Sequence, residues 1–330
     1  MTTPWDTGTL IGTSSAYWRG CALQAAVRLR IFSILGEEQK SLEEVRSALD
    51  ADRRGTEYLL NALAAMRLIN KHADFYQNSD EAVELLTESS GRYIGHIILH
   101  HHHLLDGWAQ LDQAVRQGAP VAKRSYGEEV ERESFLLGMF NLAMGSAPLV
   151  AAKVVLDGKK KLLDLGGGPG TFSIHFCRRN PDLQAVVFDR PTTKPFMQKT
   201  AAAFNLTDRI NFIGGDFNRD PITGGPYDVA WLSHILHSNG PKQCQDLIEK
   251  TYDILEPGGE ILIHDFILKD TKDSPEFGAL FSLNMLINNP EGRSYSGAEI
   301  AVMLESAGFK DRRFIDPHTP NNSLIMSATR

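Results

Sequence analysis

The chain has 330 residues, 42% of them hydrophobic, and a formal net charge of −7. That length can bury two cores and suggests about two domains. The acidic balance argues against a general nucleic-acid or anionic-membrane binder.

In chain order, Tyr17, Ala22, Leu23, Ala26, Leu29, Ile31, Phe32 and Leu35 predict one amphipathic helix over 16–36, ended by Gly36. Ser41-Leu-Glu-Glu44 has the form of a capping box opening a second helix. Thr56 is placed to cap a third, Glu57–Leu68. Ile69–Gln77 then reads as a small hairpin. Three helices and a wing make a winged-helix pattern, a module that often binds DNA. Residues 1–110, however, carry 10 basic and 14 acidic side chains, the wrong sign for a phosphate-binding face. No nucleic-acid partner is expected, and packing of two copies is the preferred role. A long helix over 92–117, a break at Gly118-Ala-Pro120 and a helix over 130–156 follow. They are expected to link the domains and roof the active site.

His96 and the run His100–His103 stand out on the first of these helices. His96 and His100 are spaced to share a face and could ligate a metal, but no cysteine or acid with obvious spacing completes a set. A polar helix face, or one histidine lining a cavity, explains them as well. Cys21, Cys177 and Cys244 are scattered and form no C-x-x-C pair. They fit a reducing cytoplasm and give no zinc site. The first residues lack the basic and apolar regions of a signal peptide, and no apolar run reaches the roughly 18 residues of a membrane span. A cytoplasmic protein without a membrane partner is expected.

The most informative segment is Lys161-Lys-Leu-Leu-Asp-Leu-Gly-Gly-Gly-Pro-Gly-Thr-Phe-Ser173. It reads as a buried strand, a glycine-rich turn and the start of a helix. The glycines let the backbone turn sharply and approach a ligand, and helix amides beyond the turn suit a carboxylate or phosphate. Asp189 ends the next strand about 20 residues further on, the spacing of an acid on a ribose diol. An adenosine cofactor is therefore expected. A dinucleotide fingerprint normally reads G-x-G-x-x-G near the start of its domain. Here the block is GGGPG, preceded by Asp164. It resembles motif I of S-adenosylmethionine (SAM)-dependent methyltransferases, with Gly166, Gly168 and Gly170 as the alternating glycines. Gly214-Gly-Asp-Phe217 resembles that family's adenine-binding G-G-D-(M/F), and Tyr227–His237 reads as a fourth strand and its exit loop. The remaining elements read as helices at 241–255, 275–288 and 296–307, with strands at 259–267, 312–317 and 322–329.

From about residue 14 onward the chain is similar to the small-molecule O-methyltransferases of the caffeate, acetylserotonin and polyketide-tailoring type. The matching stretches include Phe140-Asn-Leu-Ala-Met144, His234-Ile-Leu-His237, Glu256–Leu268, Asn284–Pro290 and Glu305–Phe309. The resemblance implies an α/β fold and a homodimer. A winged-helix dimerisation domain would span 1–110, a helical linker contributing to the active site 111–157, and a Rossmann-like SAM-binding domain 158–330. It implies that Gly166, Gly168 and Gly170 hold the methionine part of SAM, Asp189 the ribose, and Asp216 and Phe217 the adenine. Asp164 would bond the glycine loop or the SAM amino group, or serve structure alone. Ser233 would face the cofactor. The implied base is His237, oriented by Asp265; His234 lies by register nearer the cofactor. Phe140, Met144, Met285 and Asn289 are implied as a clamp on a small-molecule acceptor. Trp108 joins them on its helix position alone, and ordinary core is the alternative for the aromatic and methionine residues.

Two positions depart from the family pattern. His237 is followed by Ser238-Asn239 where the family has Asp-Trp, and the family's second acid falls on Ser294, with Glu291 out of register. His237 therefore keeps one candidate acid. O-methylation by general-base catalysis is the leading expectation. S- or C-methylation is the alternative, because a thioether has no proton to remove. The methyl transfer itself needs no metal.

Overall fold

Short-range signals shape residues 1–103, one of two compact units; the other is 104–330. The computed structural model describes residues 5–121 and 129–330. Ser41 opens the helix Leu42–Leu49: its hydroxyl accepts the Glu44 amide at 3.3 Å, and Glu44 Oε2 accepts the Ser41 amide at 2.7 Å. The next helix, Arg53–Ala65, is capped by Asp52, whose Oδ1 accepts the Gly55 amide at 2.9 Å. Thr56 is not the cap. It lies inside the first turn, where its hydroxyl donates to the Asp52 carbonyl at 2.8 Å. Strand β1 (Lys40–Ser41) pairs with the hairpin β2 (Ile69–His72) and β3 (Phe75–Asn78) in the order β1-β3-β2. Ile31, Phe32, Leu35, Val45, Leu60, Leu63, Ile69 and Tyr76 are buried in this unit.

The helix expected over 16–36 is divided into Tyr17–Arg28 and Ile31–Leu35, preceded by Thr7–Ser15. Arg30 makes the break in a left-handed conformation, φ 57°, which costs a non-glycine residue roughly 1–2 kcal/mol. Its ion pair with Glu88 is exposed and offsets little of that cost. Burial of Ile31, Phe32 and Leu35, each of the order of 1.5–3 kcal/mol, decides the balance. The helix expected over 92–117 is likewise three pieces, Gly95–His103, Leu105–Trp108 and Leu111–Gln117. Gly107 weakens the middle of that run. Gly118 ends it with φ 66°.

The second unit is built on strands β4 (Lys161–Leu165), β5 (Gln184–Asp189), β6 (Ile210–Gly214), β7 (Tyr227–Ser233), β8 (Leu255–Asp265), β9 (Lys310–Ile315) and β10 (Leu324–Thr329). They form one sheet in the order β6-β5-β4-β7-β8-β10-β9. The first five are parallel to one another, and β10 runs antiparallel to both β8 and β9. Strand alternation sends Leu163 and Leu165 into the core on one face and Leu162 into the core on the other. Register brings the carboxyl ends level: Leu165 is opposite Phe188 and Leu232, Asp189 opposite Gly214, and Ser233 opposite His264. The chain order reverses between β4 and β7, so a crevice for ligand is expected at that edge.

The helix Glu129–Lys153 supplies Ala147, Val150 and Ala151 to the core of this unit. The span 111–157, read from sequence as a linker, lies partly outside the described residues. Within the helix, Arg132–Lys153 has a mean hydropathy of 1.6 and is long and apolar enough to cross a membrane by length and composition alone. This corrects the expectation that no stretch reaches that length. Phe176, fully buried and set edge-on to Trp231 at 5.0 Å, tests the core. Phe176→Ala is expected to cost about 3–5 kcal/mol, read as a lower urea midpoint with an unchanged slope.

Candidate active site

The turn after β4 is held open by its glycines. Gly166, Gly168 and Gly170 have φ of 68°, 55° and 77°, a region that L side chains rarely adopt. A Cβ on Gly166 would also sit 2.3 Å from Ile235 Cδ1, whereas one on Gly168 would meet nothing within 4 Å. The turn is thus packed from below and bare above.

Two acids support it. Asp164 is buried in β4; its Oδ2 accepts the Ser173 hydroxyl at 2.6 Å, and its Oδ1 has no partner. Burial pushes its carboxyl up to about 7. Asp189, at the end of β5, accepts the Gly168 amide on Oδ2 at 2.8 Å. Its Oδ1 takes the Arg190 amide at 2.6 Å and the Thr193 hydroxyl at 3.2 Å. Burial raises this carboxyl too, although the three hydrogen bonds pull the other way. Beyond β6, Asp216 Oδ1 accepts the Asn218 amide at 3.0 Å, and the ring of Phe217 reaches to within 3.2 Å of where a Gly166 Cβ would be. An orphaned buried carboxylate oxygen beside a bare turn, with a second acid on the next strand, fits a ligand carrying a cation and a diol, as SAM does.

Further along the sheet edge, a short 3-10 turn, Leu236–Ser238, follows β7. It carries His237, whose Nδ1 lies 2.7 Å from Asp265 Oδ1. Asp265 ends β8 and also accepts the Phe266 amide at 2.8 Å and the His237 amide at 3.3 Å. Burial alone would raise its carboxyl, but His237, with His234, holds it well below the usual carboxylate range. The loop 289–293 is bonded to this turn. Arg293 N donates to the His237 carbonyl at 2.8 Å, and Asn289 Nδ2 donates to the Ser238 carbonyl at 2.6 Å. Asn289 Oδ1 accepts the amides of Glu291 and Gly292, each at 3.1 Å. Ser294 is buried and its hydroxyl donates to the Gly278 carbonyl at 3.0 Å. The position of the family's second acid is therefore tied to helix Glu276–Asn288.

Other side chains gather around this pair, and Phe277 and Phe281 among them were not legible in the sequence. His234, at φ 58°, places Nδ1 3.6 Å from Asp265 Oδ1. His234, His237 and Asp265 thus gather potential ligand atoms within 4.8 Å of one another, the one such group of three among the described residues. The 2.7 Å contact within it has the length of a charge-assisted hydrogen bond. His237 packs edge-on against Phe281 at 4.8 Å and parallel to Phe266 at 6.1 Å, and Phe277 joins the same aromatic group. Met285 lies one turn beyond Phe281 on helix Glu276–Asn288. Trp108 Nε1 donates to Asn284 Oδ1 of that helix at 3.2 Å. Phe140 and Met144 are half-buried, one turn apart on Glu129–Lys153. Ser233 meets His264 Nδ1 at 2.9 Å. His102, far from this site in sequence, meets Arg28 Nη1 at 2.7 Å.

Residues 103–310 match the O-methyltransferase domain family and residues 11–88 match the O-methyltransferase dimerisation domain. The chain is 33% identical over 326 residues to the tetracenomycin polyketide synthesis 8-O-methyl transferase TcmO of Streptomyces glaucescens, covering 96% of each chain. It is 30% identical over 328 residues to a 3-hydroxy-5-methyl-1-naphthoate 3-O-methyltransferase of Streptomyces sahachiroi, covering 97% of this chain and 94% of the relative. Among solved structures, an O-methyltransferase family protein from Burkholderia thailandensis superposes with a TM-score of 0.87 at 26% identity over 99% of both chains. Human N-acetylserotonin methyltransferase in complex with SAM superposes with a TM-score of 0.87 at 25% identity, over 100% of this chain and 99% of that one. With this fold, this edge and these matches, the chain belongs to the SAM-dependent small-molecule O-methyltransferase family.

Proposed function

We propose that this enzyme methylates a phenolic hydroxyl of a fused-ring aromatic acceptor, with His237 as general base oriented by Asp265. The observation that carries the reading is the 2.7 Å contact between His237 Nδ1 and Asp265 Oδ1. An acid held ionised on Nδ1 keeps the proton there, so Nε2 presents its lone pair. It also stabilises the imidazolium formed when Nε2 takes the phenol proton. SAM supplies an electrophilic methyl group on a sulfonium. Gly166, Gly168 and Gly170 would hold its methionine part, with Asp164 beside the amino group, Asp189 at the ribose, Asp216 and Phe217 at the adenine, and Ser233 facing it. Catalysis is otherwise positioning, because an aligned acceptor oxygen needs only loss of its proton to react. A flat acceptor is supported by the aromatic group Phe266, Phe277 and Phe281 beside His237, and by the two Streptomyces relatives. Phe140, Met144, Met285 and Trp108 would complete its walls. Asn289, whose polar atoms already bind backbone, is better read as holding the base loop in place.

S- or C-methylation is favoured by one observation only: Ser294 leaves His237 with a single acid. His237→Ala separates the two readings. With 3-hydroxy-5-methyl-1-naphthoate and related phenols as probes, the variant is expected to lose about 10²–10⁴ in kcat while binding SAM like the wild type. A loss of less than about tenfold would favour a nucleophile that carries no proton.

Asp164 gives a pH test. Its folded value of about 7 lies above the ordinary 3.8, so the folded state keeps the proton longer. Its contribution therefore lowers stability as pH rises between those values and is level above them. Asp164→Asn removes that slope. The melting temperature of the cofactor-free variant should gain on the wild type from pH 4 to 7, and SAM should raise it less than it raises the wild type.

The first unit is proposed to pair two copies. Leu10, Ile11, Tyr17 and Trp18 on its first two helices are 55%, 64%, 62% and 65% exposed, an apolar surface of the kind that marks an interface. Wild type should elute with the mass of a dimer in light scattering, and Trp18→Glu should shift it toward monomer. No nucleic-acid or membrane partner is proposed.

A further inference from the structure

His264 is fully buried at the end of β8, directly opposite Ser233 on β7. Its ring stacks on Trp231 at 5.3 Å and takes Phe172, in the first turn after the glycine loop, edge-on at 5.4 Å. His234 meets its other side at 4.7 Å. Nδ1 lies 2.9 Å from the Ser233 hydroxyl and Nε2 2.8 Å from the Ser323 hydroxyl. The Ser323 and Thr319 hydroxyls are 2.7 Å apart, and Thr319 Oγ1 also accepts the Ser323 amide at 3.0 Å. Ser323 and Thr319 are both buried. None of these contacts has a part in the proton transfer at His237.

Two directions are open to this run of hydrogen bonds. Burial keeps His264 neutral, well below its ordinary value, so it has one N–H and one acceptor nitrogen. Thr319 already accepts the Ser323 amide. Its hydroxyl can donate to Ser323 Oγ at 2.7 Å or to the Ser323 carbonyl at 3.3 Å; either hydroxyl can be the donor of the 2.7 Å contact, and we take Thr319 as the donor. Ser323 then donates to Nε2. In that direction Nδ1 carries the proton and donates to Ser233; in the reverse one Nε2 donates to Ser323 and Ser233 donates to Nδ1. With Nδ1 as donor, the Ser233 hydroxyl proton points away from His264 and is left for an outside partner. Gly166 follows Leu165, which pairs with Leu232, so Ser233 stands beside the turn that carries the cofactor.

We infer that His264 is a positioning residue that fixes Ser233 as a hydrogen-bond donor toward an acceptor oxygen of SAM. The inference rests on the reading that Ser233 faces the cofactor. Calorimetric titration of SAM needs no acceptor and tests both steps. Ser233→Ala should weaken SAM binding roughly 3–10-fold, the worth of one hydrogen bond. His264→Asn, whose amide N–H replaces Nδ1, should bind within about twofold of wild type. His264→Gln, whose amide replaces Nε2, should lose as much as Ser233→Ala, and the double variant should lose no more. Ser323→Ala leaves the fold least disturbed and should show a loss of the same kind. Normal binding by Ser233→Ala would overturn the reading of Ser233 and the role of His264 together. A weakened Ser233→Ala with normal His264→Gln and Ser323→Ala would keep the first and overturn the second. Equal losses in His264→Asn and His264→Gln would make His264 a packing residue and overturn the inference.

Discussion

A carboxylate buried at the end of a strand must be paired, or it takes up a proton. Asp265 is paired by the His237 ring, by the His237 amide and by the Phe266 amide. Meeting that demand draws the exit loop of β7 across the end of β8. It also fixes the ring that the loop carries. The neighbouring loop is bound in turn, because the His237 and Ser238 carbonyls are the acceptors for Arg293 N and Asn289 Nδ2. One charge that could not be left alone thus organises three loops at a single sheet edge.

The opposite case stands two strands away in the sheet. Asp164 is as deeply buried, but it has only the Ser173 hydroxyl and one oxygen without a partner. Its carboxyl rises toward neutrality where that of Asp265 falls. The contrast separates a finished interaction from an unfinished one. The sheet edge has a paired imidazole at one end and, at the other, a cradle whose polar needs the protein itself does not meet.

What the sequence reveals follows distance along the chain. The β4 strand, its glycine turn and Asp189 lie within one strand-helix-strand stretch, so their spacing carries their placement. The Ser41 capping box is likewise complete within four residues. His237 and Asp265 are 28 residues apart, and the resemblance to a known family paired them before any geometry did. His264, Ser323 and Thr319 were not legible, because an antiparallel strand brings Ser323 back from 59 residues away. Phe281 was missed for a similar reason: nothing in a helix's own spacing says which loop it will meet. The helix predicted over 16–36 failed where burial of Ile31 and Phe32 outweighed a continuous apolar period, and the one over 92–117 breaks at 104 and at 109–110, on either side of the short helix Leu105–Trp108.

The helix Thr7–Ser15 has nine residues and buries none of them. Its capping box, Asp6 with Thr9, satisfies its first amides, yet a helix that short is marginal in water on its own. No residue of this helix is buried within its own unit. Whatever surface covers Leu10 and Ile11 therefore also folds this segment. If a second copy supplies that surface, the order of the first two turns becomes a function of protein concentration, and dilution would fray the chain from this end before it disturbed the sheet.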